Sequence, residues 1–335
     1  MSFSEEQISL IRDNSVVIVY PEGDDPDIIK AARMAVDKGV ASPVLLGSED
    51  DIRKAAQEAD TDLNGIKIID PSSSEKLDNY ADEFAKITSL PATTGRVLLK
   101  RPLYFGAMMA RMHDADCICS GIRTETAEVV AAYKMILGMR EGIQVPSCFT
   151  IIEAENFNGT QGNLVAVSDT AINADPTSEE LADIAIASAQ TANELLGWEP
   201  RVALLSFSTL TSSKHPNAQK VTNAVEIAKN RRPDLNIDGE MQLDAALLPS
   251  VAKRKFGRES EVAGKANVLI FPNLDAGNIG VKLLRVIGGV KASGGLLQGF
   301  NMPVGDLSRG ADANRILRNS VLLIRIAQNR KDKLS

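Results

Sequence analysis

The sequence predicts an α/β protein of two domains, each a parallel sheet with helices on both faces. Three observations carry that expectation. The chain has 335 residues, and roughly 100–200 residues make one domain. Short β-branched runs alternate with stretches of helical apolar spacing along the whole chain, as βαβ units do. Apolar residues make up 44% and charged residues 24%, which is ample for buried cores.

Residues 15–20 (SVVIVY) read as a strand, and PEGDD follows as a turn. Apolar spacing predicts a helix over 28–37. Strands follow at 44–46, closed by Gly47, and at 66–69, closed by Asp70-Pro71. Helices are expected over 77–87 and 102–112, a buried strand over 115–119 and a helix over 126–137.

A second series starts near Pro146 with a strand at 149–152, the turn NFNGTQGN and a strand at 164–167. A long helix follows over 176–196, with Asp175 or Thr177 at its cap. The strand at 202–207 ends in the polar loop STLTSSKHP. A helix over 217–231, a strand at 268–271 and a helix over 276–290 come next. A strand at 296–300 precedes NMPVGDLSRG, and a helix over 314–329 closes the series. The expected domains are 1–147 plus 305–335, and 148–304. No repeat or low-complexity tract interrupts them.

The formal charge of −7 argues against nucleic acid or an anionic membrane as the main partner, but leaves room for a local basic site. No apolar run reaches the ~18 residues of a membrane helix, and MSFSEEQISLIRDN lacks a signal-peptide core. Cys117, Cys119 and Cys148 are an odd count for a disulfide framework and read as buried thiols of a cytoplasmic protein. His113 and His215 are the only histidines, and no Cys/His cluster has zinc spacing, so no metal is expected.

Ligands of open α/β sheets sit beyond the carboxyl ends of strands, and three polar segments occupy such places. The first, SFSTLTSS, offers the hydroxyls of Ser206, Ser208 and Thr209; its plainer reading is a solvated loop with a helix cap. The second, LDAGNIG, brings Asn278 and two glycines to a helix start, and would otherwise be a tight turn. In the third, PVGDLSRG, Ser308, Arg309 and Gly310 combine a hydroxyl, a permanent cation and a flexible backbone. Phosphate recognition uses all three, although alone the motif is weak.

Taken in order, EPRVALLSFST, RRPDLNIDGEMQLDAAL, EVAGKANVLIFPNLDAGNIG, LLQG and PVGDLSRG resemble the phosphate acetyltransferases. So do the PEG turn, RPLYFGAMM, DADCICSG and NADPTSEELADIAI in the first half. The phosphate butyryltransferases differ around the SRG stretch, so the acetyl branch is the better match.

The resemblance implies two α/β/α domains with a cleft between them, in an architecture like that of isocitrate and isopropylmalate dehydrogenases. It also implies a homodimer. The implied reaction exchanges an acetyl group between CoA and inorganic phosphate, with acetyl-CoA and acetyl phosphate as substrates and no resident cofactor. Ser308 and Arg309 align with the family's catalytic serine and adjacent arginine.

Other family positions are substituted here. The family's catalytic aspartate, seven residues after the serine, falls on Arg315. The arginine after SG-x-x-x-T-x-A falls on Ala131, with Arg123 nearby. Another falls on Val286, with Arg285 one place earlier, about 100° round a helix. A fourth falls on Ala85, beside Lys86. Arg123, Arg285 and Arg315 are therefore candidate substrate ligands. Two readings stay open: an acyltransferase with a rebuilt site and altered rate, or a paralogue that binds a CoA ester or phosphate without turnover. A metal-dependent dehydrogenase would need clustered aspartates, and Asp238, Asp244 and Asp275 are scattered.

Overall fold

The computed structural model describes residues 3–334, and the chain divides into two compact units, 1–139 with 295–335 and 140–294. The first unit opens with α1 (Phe3–Ser9), β1 (Val17–Tyr20), α2 (Pro26–Asp37), β2 (Ser42–Leu46), α3 (Glu49–Glu58) and β3 (Lys67–Ile69). It continues with α4 (Leu77–Thr88), α5 (Ala92–Leu98), α6 (Pro102–Arg111), β4 (Cys117–Ser120) and α7 (Thr126–Ile136). The second holds β5 (Ser147–Glu153), β6 (Leu164–Ser168), α8 (Ser178–Leu196), β7 (Arg201–Leu205), α9 (Pro216–Arg231) and β8 (Asn236–Met241). It also holds α10 (Leu243–Leu247), α11 (Pro249–Lys255), β9 (Val268–Ile270) and α12 (Leu274–Val286). The strand β10 (Lys291–Gln298) leads back to the first unit, which ends with β11 (Val304–Asp306) and α13 (Ala313–Leu334).

The unit boundaries fall earlier than the sequence suggested, for two local reasons. Residues 140–146 are tied to α8: Arg140 bonds Glu194 at 2.7 Å, and the Gln144 N–H donates to Asp183 at 2.7 Å. Leu296 and Leu297, at the end of β10, pair with β11 and so belong with the first unit.

The sheets are mixed, where all-parallel sheets were expected. In the first unit β3, β2, β1, β4 and β11 run parallel, but β10 is antiparallel to β11. In the second β6, β9, β7 and β8 run parallel, but β5 is antiparallel to β6. Both exceptions join consecutive strands through short loops, and a short loop can only make an antiparallel pair.

Local chemistry accounts for the helix ends. Asp25 accepts the Asp27 and Ile28 N–H groups at the start of α2, where Pro26 supplies a helix-ready φ. Thr177 and Glu180 form a capping box on α8, and Gly197 closes that helix at φ 66°. Of the two expected caps it is Thr177 that acts, while Asp175 pairs with Lys220.

In the first unit α2 packs against α3 and α13, and α4 against α5, α6 and α7, so the sheet lies between helical layers. Tyr20, fully buried, donates to Ser320 at 2.8 Å and fastens β1 to α13. In the second unit Val165 and Val167 join Ala203, Leu205, Met241 and Leu269 in a core closed by residues of α10 and α11. On β6, β7 and β9 their alternating neighbours face α8, and β8 packs on α9, as a period of two requires.

Candidate functional site

The parallel neighbours β1, β4 and β11 bring their carboxyl ends to one edge of the first unit. The PEG turn follows β1, residues 121–125 follow β4, and residues 307–312 follow β11.

Glu22, buried in the PEG turn, organises the second of these segments. Its carboxylate accepts from the backbone N–H groups of Gly121 (2.9 Å), Ile122 (3.0 Å), Arg123 (2.8 Å) and Thr124 (2.8 Å), and from the Thr124 hydroxyl (2.9 Å). Successive N–H groups facing one point make an anion-binding nest. Here the chain fills that nest with its own carboxylate.

The Arg123 side chain turns to Asp24 and donates to both its carboxylate oxygens. A cavity of about 470 Å³ opens beside it, lined among others by Glu22, Asp24, Ser48, Arg101 and Glu128. Its other arginine, Arg101, is paired with Glu128 and lies 5.0 Å from the Tyr104 ring centre. Both cations of this cavity are thus neutralised within the chain.

The turn after β11 differs. Leu307 is buried and its N–H donates to the Ser120 carbonyl at 2.7 Å, whereas Ser308, Arg309 and Gly310 are exposed. Ala311 closes the turn with an N–H bond to the Ser308 carbonyl at 3.0 Å, and Gly310 sits at φ +83°, a region that favours glycine. Asp312 accepts the Arg315 N–H at 2.7 Å and caps the start of α13. One helical turn in, the Arg315 guanidinium donates to the Ser308 hydroxyl at 3.2 Å. Arg309 has no ion pair among the described residues. One turn of chain therefore presents two guanidinium groups, a hydroxyl and the amino end of a 22-residue helix, all favourable to a phosphate.

Asp306 lies just beneath this turn. Burial pushes its carboxyl up to about 6; the Thr126 hydroxyl bond opposes that, and the charge of Glu22 adds to it.

The second unit gives the other candidates more internal occupations. Ser206 accepts the Ser208 N–H at 3.1 Å. Ser208 is buried and donates to Glu240 at 2.6 Å, and Thr209 accepts the Gln242 N–H at 3.0 Å. These bonds hold the loop to β8, a structural role different from the solvated loop with a helix cap that was expected, since Ser208 and Thr209 are buried and His215 caps α9. Asn278, in the first turn of α12, donates to the Thr170 carbonyl at 3.1 Å. Gly277 beside it is obligatory, because a Cβ there would collide with the Asp169 carbonyl oxygen. Arg285 is exposed in the last turn of α12, followed by Val286, which is 81% exposed.

The structure thus unites Ser308, Arg309, Gly310 and Arg315 in one turn, with Arg123 on the loop after the neighbouring strand. Ser206, Ser208 and Thr209 share a second-unit loop, and Asn278 and Arg285 share α12. Sequence reasoning quoted PEG and DLSRG as motifs but assigned no role to Glu22 or Asp306. The available signal was an acid flanked by turn residues at a strand's carboxyl end. Among the described residues no group of three or more His, Cys, Asp or Glu side chains could hold a metal ion, and the three cysteines are buried and outside any disulfide.

The chain thus carries a cationic turn at the carboxyl edge of a mixed α/β sheet. Residues 2–324 match the family described as "Phosphate acetyl/butaryl transferase", and the chain belongs to that family. It is 43% identical over 320 residues to a phosphate acetyltransferase of Thermoanaerobacterium thermosaccharolyticum, covering 95% of this chain and 97% of that one. A phosphotransacetylase from Streptococcus pyogenes has a similar structure, with TM-score 0.89 and 35% identity over 99% of this chain and 100% of its own. The EutD phosphotransacetylase from Staphylococcus aureus also gives TM-score 0.89, at 32% identity over 98% and 100% of the two chains. Among the described residues no helix is long and apolar enough to cross a membrane.

Proposed function

We propose that this chain is a phosphate acetyltransferase, exchanging an acetyl group between CoA and inorganic phosphate. The observation that carries this reading is the turn in which Ser308, Arg309, Gly310 and Arg315 converge. The CoA sulfur attacks the carbonyl carbon of acetyl phosphate, the bond from that carbon to the phosphate oxygen breaks, and a thioester and free phosphate result. Arg309 and Arg315 hold the phosphate and meet its growing charge, and Ser308 orients it. The attacking species is thiolate, with the thiol proton lost to solvent; a free thiol ionises near 8.5, and an adjacent cation favours the anion. CoA, acetyl-CoA, phosphate and acetyl phosphate are substrates, with no resident cofactor.

The protein acts in the cytoplasm as a homodimer. An apolar stripe on α12 supports the dimer: Ile279, Leu283, Val286 and Ile287 are all more than half exposed, at spacings that place them on one helix face.

A CoA-release assay with acetyl, propionyl and butyryl phosphate tests the reaction. Acetyl phosphate should give the highest kcat/KM, and Arg309→Ala should raise KM for the acyl phosphate at least tenfold. One feature favours a second reading, a paralogue that binds without turnover: a cation occupies the position of the family's base. Calorimetric binding of CoA and phosphate, with no CoA consumed or released from any acyl phosphate, would establish it.

A further inference from the structure

Asp306, the last residue of β11, turns its side chain onto the backbone of Gly121. That glycine has no Cβ to spare, since one placed there would collide with Asp306 Oδ1. Oδ2 accepts from the Thr126 hydroxyl at 2.6 Å, while Oδ1 is buried without a hydrogen-bond partner. The contrast with Glu22, whose carboxylate takes five donors from the same loop, is informative. Glu22 explains the loop's shape and is well satisfied. Asp306 is half-satisfied, half-buried with Oδ1 fully enclosed, and close to a second carboxylate, an arrangement that destabilises the fold. An asparagine could also accept from Thr126, without burying a charge. Stability therefore does not account for an acid here, two residues before Ser308.

We propose that Asp306 is a positioning residue for acyl transfer: its ionised carboxylate, through Thr126, locks the loop carrying Arg123 to the strand that delivers Ser308 and Arg309. A charged acceptor holds a hydroxyl roughly twice as strongly as a neutral one, so the lock tightens on ionisation. The titratable groups facing Asp306 are Glu22 from the turn after β1, Cys119 from β4 and Tyr133 from α7. Burial raises both the Cys119 thiol and the Tyr133 hydroxyl, so those two stay neutral across the working range.

With burial and Glu22 pushing the Asp306 carboxyl to about 6, two quantities move in opposite directions. Catalysis rises as pH increases through about 6, because the working form is the anion. The contribution of Asp306 to stability falls over the same rise, because the folded state favours the protonated form.

The inference rests on the proposed reaction, and its test separates the two. Wild type, Asp306→Asn, Thr126→Val and Thr126→Ser are compared for kcat and KM from pH 5 to 8, for Tm at pH 7.5 and for phosphate affinity by calorimetry. Asp306→Asn should lower kcat about tenfold at pH 7.5, remove the extra fall below about pH 6 that Asp306 adds to the slope set by thiol ionisation, and leave Tm equal or higher. Thr126→Val should lower kcat similarly, and Thr126→Ser should retain it. Wild-type kcat in Asp306→Asn, with the same extra fall below about pH 6 as wild type, would overturn the proposal. So would a fall in its Tm parallel to the fall in kcat, or full activity in Thr126→Val. If the wild type turns over no acyl phosphate, the reaction assignment fails. Phosphate affinity then decides: tenfold weaker binding in Asp306→Asn supports the lock, and equal binding overturns it.

Discussion

Arg315 donates to the Ser308 hydroxyl, and a guanidinium in that place cannot accept the thiol proton, because it stays protonated in proteins. The rate should therefore follow thiol ionisation and climb between about pH 7 and 9, without the neutral plateau of a base-assisted enzyme. Arg315→Asp supplies a carboxylate one helical turn from the Asp312 cap and should raise the neutral-pH rate by about tenfold or more. A flat wild-type profile over that range, or a slower Arg315→Asp, would show that the proton leaves by another route. Ser308, Arg309 and Gly310 were legible in the sequence because they are consecutive. Glu22 and Asp306 were not, because their donors lie 99–102 and 180 residues away in the chain. A carboxylate whose partners come from another strand end leaves no local pattern.

Elements with strong apolar periodicity were legible to within a few residues, as α2, α4, α8 and α9 show. The omissions were α1, α3, α5, α10, α11, β8 and β11. The helix α3 buries only Ile52, Ala55 and Ala56, and its clearest signal was the Ser48 cap. The strand β8 reads NIDGEM and looks like a turn, yet it is buried, because its acids are answered from elsewhere. Glu240 takes bonds from Ser208, Thr211 and Thr222. Asp238 takes them from Lys229, Arg258 and Ser260. Burial alone would raise the Asp238 carboxyl, but the bonds from Arg258, Lys229 and Ser260 outweigh it and hold the group below its ordinary value. Its contribution to stability is thus complete above about pH 5 and lost as pH falls below about 4. Asp238→Asn should lower stability by about 1–3 kcal/mol at pH 7, the lower end reflecting the half-exposed Lys229 and Arg258 partners. Urea unfolding at pH 7 and at pH 3.5 checks both points, since the gap between variant and wild type should shrink at the lower pH.

At the scale of the whole molecule, the two units have different debts to the rest of the chain. The second is one continuous excursion, 140–294, with its own core. The first closes only when the chain returns to add β11 and α13, whose Ser320 receives the buried Tyr20 hydroxyl. Yet the second unit leaves the larger surface debt. The α12 stripe ends in Val286 at 81% and Ile287 at 78% exposure. Neighbouring Leu284 is 41% exposed. Contiguous apolar surface of this kind in a chain with a formal charge of −7 is the face on which the proposed dimer is tested. A two-fold dimer covers such a stripe with its own copy, since one helix face is self-complementary in chemistry. Ile287→Glu then sets two like charges close together across the contact. Light scattering should give twice the subunit mass for wild type and a shift toward one subunit mass for Ile287→Glu. Far-UV circular dichroism should be unchanged, because the side chain is already in water in the single subunit. A wild-type protein at one subunit mass over micromolar concentrations would remove the dimer, and a dimeric Ile287→Glu with undiminished affinity would place the contact on another face.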